Sequence, residues 1–263
     1  MKINWKNISK KGKPLEPVFL EPIFDNSSVN KKVLIKISNL KQVFGKKLIY
    51  NNVSFNIYEG ETLSLLGCNG AGKTTLVETL AGINKQTSGK IKFLYSAANK
   101  ANGIGVQFQD LSLPNGVSIK DIIQFIIEIY DGDDLDTKTV DEMLEKFHLK
   151  EFLYMQAKKL SGGQQQRLNV MIALLAKPKV LFLDEFTTGL DIDVKNKIKD
   201  YILEFTKKNN ISIVLISHDV DMIVDMSDRI LVLSQQKLLV DASVVTLNQK
   251  YGSVSQFLKK YIV

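Results

Sequence analysis

Short apolar runs bounded by polar turns recur along the chain and predict β-strands. The run 53–57 alternates apolar and polar residues at period two, as a strand with one buried face does. Two other runs, 180–183 and 211–216, are continuously apolar, which is typical of parallel strands buried on both faces. The remaining predicted strands are 33–37, 62–66 and 90–94.

Other stretches repeat their apolar residues at spacings of three and four, which predicts helices. This spacing is sustained between Ser118 and about Lys159, and a further helix after the motif at 160–164 is expected to end near Ala176, before Pro178. Residues 193–208 are predicted to form another helix. Strands that alternate with helices predict an α/β fold, and the helical block that interrupts the alternation is interpreted as an inserted subdomain.

The predicted domain organisation is a single domain over 33–240, with the helical subdomain inserted at about 111–162. Residues 241–263 are interpreted as a helical tail. Residues 1–32 contain three prolines and show no sustained period, so they are predicted to be an N-terminal extension. Two interpretations of this extension stay open: a solvated tail, or a segment that docks on a partner or on an anionic membrane surface.

The composition is ordinary for a globular protein, with 44% hydrophobic and 24% charged residues. Of the net charge of +7, residues 1–32 carry +4, because they hold seven lysines and three acidic residues. The remaining +3 does not indicate a nucleic-acid partner. No apolar run approaches the ~18–20 residues that span a bilayer, and the first residues lack the apolar region of a signal peptide, so we expect a cytoplasmic protein.

Residues 67–75, with the sequence GCNGAGKTT, fit the phosphate-loop pattern GxxxxGK[ST] between a predicted strand and a predicted helix. Glycines let successive N–H groups point inward, and the helix N-terminus adds the positive end of its dipole. Lys73 supplies a charge for the β- and γ-phosphates, and the Thr74 hydroxyl can ligate a bridging Mg²⁺. The predicted nucleotide-binding residues of this loop are Gly67, Asn69, Gly70, Ala71, Gly72, Lys73, Thr74 and Thr75.

Two further predicted strands end in residues that can serve phosphate chemistry. Asp184 and Glu185 follow the run 180–183, and His218 follows the run 211–216. Neighbouring side chains at a strand end point to opposite sides, so Asp184 can face a metal ion while Glu185 faces an attacking water. Because ligands of parallel α/β sheets bind beyond the carboxyl ends of the strands, Lys73, Asp184 and His218 are expected to converge.

The motif LSGGQ at 160–164 lies between the phosphate loop and this carboxylate pair. It opens another helix and therefore offers a second phosphate-binding N-terminus. The order of the phosphate loop, LSGGQ and the carboxylate pair resembles that of the ATP-binding subunits of ABC transporters. LSGGQ matches the signature sequence of that family letter for letter. The resemblance covers about residues 34–240. It implies the ABC ATPase architecture: a P-loop NTPase core with a mixed, largely parallel sheet, an antiparallel β subdomain and the inserted α-helical subdomain.

The resemblance also implies a role for each matching residue. Phe44 would stack on adenine and Gln109 would contact Mg²⁺, although Gln107 leaves the register of that glutamine open. Asp184 would serve Mg²⁺, Glu185 would be the general base, and His218 would sense the γ-phosphate. The signature residues Ser161, Gly162, Gly163 and Gln164, and Asp191 in the loop after the carboxylates, would act across a dimer. Cys68 and Phe186 depart from the family pattern, which has proline at these positions.

The implied function is an ATPase that uses ATP and Mg²⁺ and pairs head to tail with a second copy of itself or a related ATPase subunit. Its partner would be a separate transmembrane permease, with the chain peripheral on the inner face of the cell membrane. The tail, with Lys250-Tyr251-Gly252 before Phe257-Leu258, is similar to that of bacterial exporters, so export is expected. The alternative is a soluble ABC ATPase of an assembly or repair system.

Overall fold

The structure is a computed structural model that describes residues 22–25, 31–96, 103–107, 114–129 and 137–261. These residues form two compact units, the first reaching to Tyr95 and resuming at Val214, the second spanning Ser96–Ile213. The units do not follow the boundaries 33–240 and 111–162, which stay predictions. Across the described ranges, no helix combines the length and the apolar character needed to cross a membrane.

The first part of the first unit, as described, contains five strands and the helix after the phosphate loop. Their bounds are β1 Ile23–Phe24, β2 Val33–Phe44, β3 Lys47–Tyr58, β4 Thr62–Leu66, α1 Lys73–Leu80 and β5 Ser88–Phe93. The antiparallel order β3-β2-β5 gives the three-stranded sheet that the family resemblance implies. β2 and β3 are far longer than the predicted runs 33–37 and 53–57. Their pairing contains register shifts, and Asn39 in β2 has a positive φ of 50°, so a regular alternation does not continue along the strands.

The described residues of the second unit include two strands that pair in parallel and four α-helices. Their bounds are β6 Ile104–Gln107, α2 Ile119–Ile129, α3 Thr137–Lys146, α4 Gly162–Leu175, β7 Val180–Asp184 and α5 Ile192–Lys208. β6 pairs with β7 in register, so that Gln107 lies opposite Leu183. Every residue of β7 is buried, as its continuous apolar sequence predicts.

The chain returns to the first unit along β8, Ser212–Ile216, which contains the unit boundary. The remaining elements are α6 Val220–Met226, β9 Arg229–Ser234, β10 Lys237–Ser243, α7 Val244–Tyr251 and α8 Val254–Tyr261. The strand order within this unit is β1-β10-β9-β4-β8. α7 and α8 pack their apolar side chains, among them Leu247, Phe257 and Leu258, on the buried residues of β9 and β10. The predicted tail therefore belongs to the core of this unit, and its helices begin at Val244 because β10 extends to Ser243.

Part of the N-terminal segment also belongs to this sheet. Ile23 and Phe24 pair in parallel with β10, and the Asp25 carboxylate accepts hydrogen bonds from the backbone N–H and the hydroxyl of Ser243, at 2.9 and 3.0 Å. Although the sequence of 1–32 shows no sustained period, Ile23 and Phe24 thus form a strand of this sheet, while the boundary of the N-terminal extension stays a prediction. Residues 1–21 and 26–30 lie outside the described residues.

Candidate active site

The phosphate loop follows the fully buried strand β4 and has a shape that only glycine permits at two positions. Gly67 and Gly72 have φ angles of 154° and 97°. A side-chain carbon at Gly67 would collide with the backbone oxygen of Leu233, and one at Gly72 would lie 2.6 Å from Ile49 Cγ2. The sequence of the loop is therefore matched to its surroundings as well as to a phosphate.

Lys73 is buried in this loop and begins α1. Its Nζ donates to the backbone oxygens of Gly67 and Cys68, at 2.9 and 3.3 Å, which holds the ammonium group along the inside of the loop. Gly72 is the N-cap of α1 and has no side chain to cap it, and the first turn contains no acidic residue. The positive end of the helix dipole thus lies at the loop, which is the arrangement that binds a polyphosphate.

The tip of the loop is open to solvent, whereas Ala71 is buried. Cys68, Asn69 and Gly70 at its tip and Thr74 on α1 are exposed, and a side-chain carbon at Gly70 would meet no atom of the described chain within 4 Å. A phosphate chain can therefore reach the loop N–H groups and the Thr74 hydroxyl together. These residues fit ATP as the predicted ligand.

Tyr50 is a supporting residue of the loop that the sequence motif does not reveal. Its side chain is fully buried, and its hydroxyl donates to Thr79 Oγ1 at 3.0 Å, which fastens α1 to β3. Burial raises the pKa of Tyr50, so the hydroxyl keeps its proton and stays a donor. No motif marks this residue, because the contact joins side chains 29 positions apart.

Phe44 and His218 lie in the same unit as the loop. Phe44 is the last residue of β2 and is 46% exposed, so its ring is accessible to a base as the family resemblance implies. His218 is exposed and follows β8, the neighbour of β4 in the sheet. The Ser217 hydroxyl accepts the N–H of Asp219 at 3.0 Å, which fixes the turn that carries His218.

Asp184 and Glu185 lie in the second unit, where glutamine side chains contact their backbone. Asp184 is buried at the end of β7, and its N–H donates to Gln107 Oε1 at 3.0 Å. Glu185 is half-buried and has a positive φ of 49°. Its carbonyl oxygen accepts from the Thr188 N–H at 3.1 Å and from Gln166 Nε2 at 3.4 Å. The backbone around the two carboxylates is thus held by named contacts.

Gln109, the predicted Mg²⁺ contact, lies outside the described residues. Gln107, which left the register of that glutamine open, is fully buried and bonded to the backbone of Asp184. Its amide oxygen is therefore committed within the protein. This favours Gln109 for the Mg²⁺ contact, which stays a prediction.

The signature motif forms the start of α4. Ser161 is the N-cap, and a capping box joins its hydroxyl to the Gln164 N–H and the Gln164 side chain to the Ser161 N–H. The N–H groups of Gly162 and Gly163 have no intrahelical partner by their position in the first turn. Gly162 is exposed, and a side-chain carbon there would meet no described atom within 4 Å. This helix start can therefore receive an anion.

Asp191 begins α5 a short distance further along the chain. It is exposed, and within the described structure its side chain makes no cap hydrogen bond to α5. The loop before it approaches the signature, since a side-chain carbon on Gly163 would lie 3.4 Å from the Gly189 oxygen. The signature, this loop and the carboxylate pair therefore occupy one region of the second unit.

The predicted site residues are thus divided between the two units. The phosphate loop, Phe44 and His218 belong to the first, and Asp184, Glu185, Asp191 and the signature belong to the second. The convergence of Lys73 with Asp184 stays a prediction. Among the described residues, no group of three or more His, Cys, Asp or Glu side chains could hold a metal ion.

Comparisons with known proteins identify the family to which the chain belongs. The family model described as ABC transporter matches residues 50–188. An uncharacterized ABC transporter ATP-binding protein of Methanocaldococcus jannaschii is 33% identical over 87% of this chain and 81% of its own length. A spermidine/putrescine import ATP-binding protein of Pasteurella multocida and a sulfate/thiosulfate import ATP-binding protein of Agrobacterium fabrum are each 32% identical, over 82% and 78% of this chain. The chain spans only 60% and 62% of these two importers.

Solved structures share the fold. An ATP-binding subunit of an ABC transporter superposes with a TM-score of 0.76 at 19% identity, over 87% of this chain and 98% of that one. A dimeric ATP-binding cassette in a post-hydrolysis state with ADP and Pi superposes with a TM-score of 0.69 at 24% identity, over 80% of this chain and 98% of that one. The family model covers more than half of the sequence, including the phosphate loop, the signature and the carboxylate pair. The chain belongs to the ABC transporter ATP-binding family and is an ATPase.

Proposed function

We propose that the chain hydrolyses ATP with Mg²⁺ as one member of a head-to-tail pair of ATPase subunits that powers a separate transmembrane permease. The observation that carries the proposal is the presence in one chain of two helix N-termini that begin with glycine, α1 after Gly72 and α4 at Gly162. Each suits a phosphate, and the family resemblance implies that the second acts on the ATP of the partner subunit. The dimeric post-hydrolysis structure among the neighbours supports this pairing.

Within the pair, each residue has a separate task. Lys73 and the loop N–H groups hold the β- and γ-phosphates, and the Thr74 hydroxyl and the Asp184 carboxylate would hold Mg²⁺. When bound, Mg²⁺ neutralises charge that develops on the phosphate oxygens. Glu185 accepts a proton from the attacking water, and His218 donates a hydrogen bond toward the γ-phosphate. Ser161 and Gly163 of the partner subunit complete the cradle.

An exposed apolar surface on the second unit supports a permease partner. On α2, Phe125 and Ile129 are 61% and 54% exposed and lie one turn apart, so they share a face of the helix. Tyr154, 78% exposed, lies beside the start of this helix, where Lys120 Nζ is 5.6 Å from its ring centre. Exposed aromatic and aliphatic side chains on one face are typical of a protein-binding surface. We assign this surface to a cytoplasmic segment of the permease.

The proposed location follows from that partner: the inner face of the cell membrane. The direction of transport is a separate matter. The relatives with named substrates are import ATPases, and their names do not support the export expected from the tail. Export therefore stays a prediction of the sequence alone.

The test is to express Glu185→Gln, trap it with ATP, and identify what co-purifies from detergent-solubilised cells. This variant keeps the size of the side chain but cannot accept a proton, so it should bind ATP, pair stably and turn over slowly. We expect a multi-span membrane protein in the trapped complex and its loss when Phe125→Asp is added. Turnover of Glu185→Gln near the wild-type rate would refute the role of Glu185, and a soluble partner alone would refute the transporter assignment.

A further inference from the structure

Two glutamine side chains contact the backbone on either side of the carboxylate pair in the second unit. Gln107, at the end of β6, accepts the N–H of Asp184 through its amide oxygen at 3.0 Å. Gln166, on α4, donates through its amide nitrogen to the carbonyl oxygen of Glu185 at 3.4 Å. The two contacts therefore lie at opposite ends of the dipeptide that carries both carboxylates.

This dipeptide has a backbone that needs support. Glu185 has a φ of 49°, in the left-handed region that is unfavourable for residues with a side chain. Such a conformation persists only where the surroundings determine it, and it is common at functional sites. Here the carbonyl of Glu185 accepts two hydrogen bonds, from Thr188 and from Gln166.

Gln107 is itself unusual for its position. It is fully buried at the end of a strand whose sequence is otherwise apolar or glycine, and an amide there is tolerated only when its hydrogen bonds are made. A local departure from the expected pattern is often found where a site requires it. Here the N–H of Asp184 needs a hydrogen-bond acceptor, and the Gln107 side chain provides it.

We infer that Gln107 and Gln166 are positioning residues that hold the Asp184–Glu185 backbone, and with it the direction of the Glu185 carboxylate. The inference rests on the proposed function, in which Glu185 is the general base. The carboxylate must lie within hydrogen-bond reach of the attacking water, so a small rotation of its backbone removes it from the productive geometry. In this inference both glutamines act through the backbone of the carboxylate pair and not on the reacting atoms.

The test replaces each glutamine by an apolar residue of similar size, Gln107→Met and Gln166→Leu, in the full chain. Loss of one hydrogen bond should lower kcat at saturating ATP by about tenfold in each variant, with KM for ATP within about twofold of wild type. ATP affinity should be retained, because the phosphate loop is unchanged.

The chain provides two matched controls. Gln42 is also buried in a strand and accepts a backbone N–H, that of Thr87 at 3.2 Å, so Gln42→Met loses the same kind of bond away from the carboxylates. Gln165 is the neighbour of Gln166 on α4 and donates to the Leu160 oxygen at 2.9 Å. Gln42→Met and Gln165→Leu should lower the melting temperature as the test variants do, but keep kcat within about twofold.

Two further variants separate positioning from packing. Gln166→Lys retains an N–H donor of similar reach, so its kcat should lie above that of Gln166→Leu. Gln166→Glu has no donor, and its kcat should lie below that of Gln166→Leu. In a Glu185→Gln background, Gln166→Leu should cause no additional loss, because the group it positions no longer acts.

The outcomes distinguish a failure of the general-base role of Glu185 from a failure of the positioning role of the two glutamines. If Glu185→Gln turns over at the wild-type rate, the proposed base is wrong and the inference fails with it. If Glu185→Gln is inactive but Gln107→Met and Gln166→Leu match their controls, the inference alone is overturned. Lower kcat in the test variants, unchanged KM and rescue by Gln166→Lys would establish it.

Discussion

Glu61 provides a test of the electrostatics beneath the phosphate loop. It precedes β4, the strand that leads into the loop, and its side chain is fully buried. One carboxylate oxygen accepts from the Tyr58 N–H at 2.9 Å and from Arg229 at 3.2 Å, while the other has no hydrogen-bond partner among the described residues. Arg229 is also bonded to both carboxylate oxygens of Asp241, at 2.5 and 2.8 Å. Its charge is therefore shared between two acids.

Burial raises the pKa of Glu61 from 4.5 to about 7, and the opposing attraction of Arg229 does not cancel this effect. The folded chain thus binds a proton at Glu61 more tightly than the unfolded chain does. The corresponding stabilisation is complete below pH 4.5 and is lost as the pH rises through 7. The difference between the two pKa values corresponds to about 3 kcal/mol of unfolding free energy.

Glu61→Gln removes this titration while keeping the size of the side chain and its acceptor oxygen. The melting temperatures of wild type and variant should be compared at pH 5 and pH 8. For a chain of this size, about 3 kcal/mol corresponds to about 6–12 °C, so the variant should gain up to that much relative to wild type between the two pH values.

Glu145→Gln is the control, because Glu145 is exposed and pairs with Lys150 in solvent, where ion pairs contribute little. Its difference from wild type should be small at both pH values. If the melting temperatures of wild type and Glu61→Gln change by the same amount between pH 5 and pH 8, the raised pKa of Glu61 is refuted. Glu61 would then titrate alike in the folded and the unfolded chain.

Three shorter predictions concern the phosphate loop and the signature motif. Lys73→Ala should weaken ATP affinity by about tenfold or more, measured with a fluorescent ATP analogue, because a buried ammonium group beside the phosphates is lost; unchanged affinity would contradict the role of the loop. Ser161→Arg should abolish steady-state turnover but leave ATP binding to the single subunit intact, and an active variant would exclude action on the partner's ATP. Gly72→Ala should lower stability by about 1–3 kcal/mol in thermal unfolding, because of its positive φ and its contact with Ile49, and a variant as stable as wild type would contradict that geometry.

The sequence predicted some elements well because their signals are local. The strand β7 was expected at 180–183 and ends at Asp184, since its continuous apolar run is bounded by Pro178 and the carboxylates. The helix α4 was expected to end near Ala176 and does so at Leu175. In each case, neighbouring residues contain the whole signal.

Contacts between distant residues explain what the sequence did not predict. The two-residue strand β1 is too short to show a period, and its place is determined by pairing with β10 and by the bond between Asp25 and Ser243, 218 positions apart. The pairing of Tyr50 with Thr79 is of the same kind. Such positions are specified only once the tertiary structure brings them together.

The motifs identify the reactive residues, but not the backbone that directs them. Asp184 and Glu185 are recognised by their place after a buried strand, whereas the positive φ of Glu185 has no signature in the sequence. Gln166 lies three residues after Gly163, about one helical turn along α4, and its side chain ends on the Glu185 carbonyl. The position of the proposed base therefore depends on the helix whose first turn forms the signature, and a displacement of that helix start would be transmitted to Glu185 through one hydrogen bond.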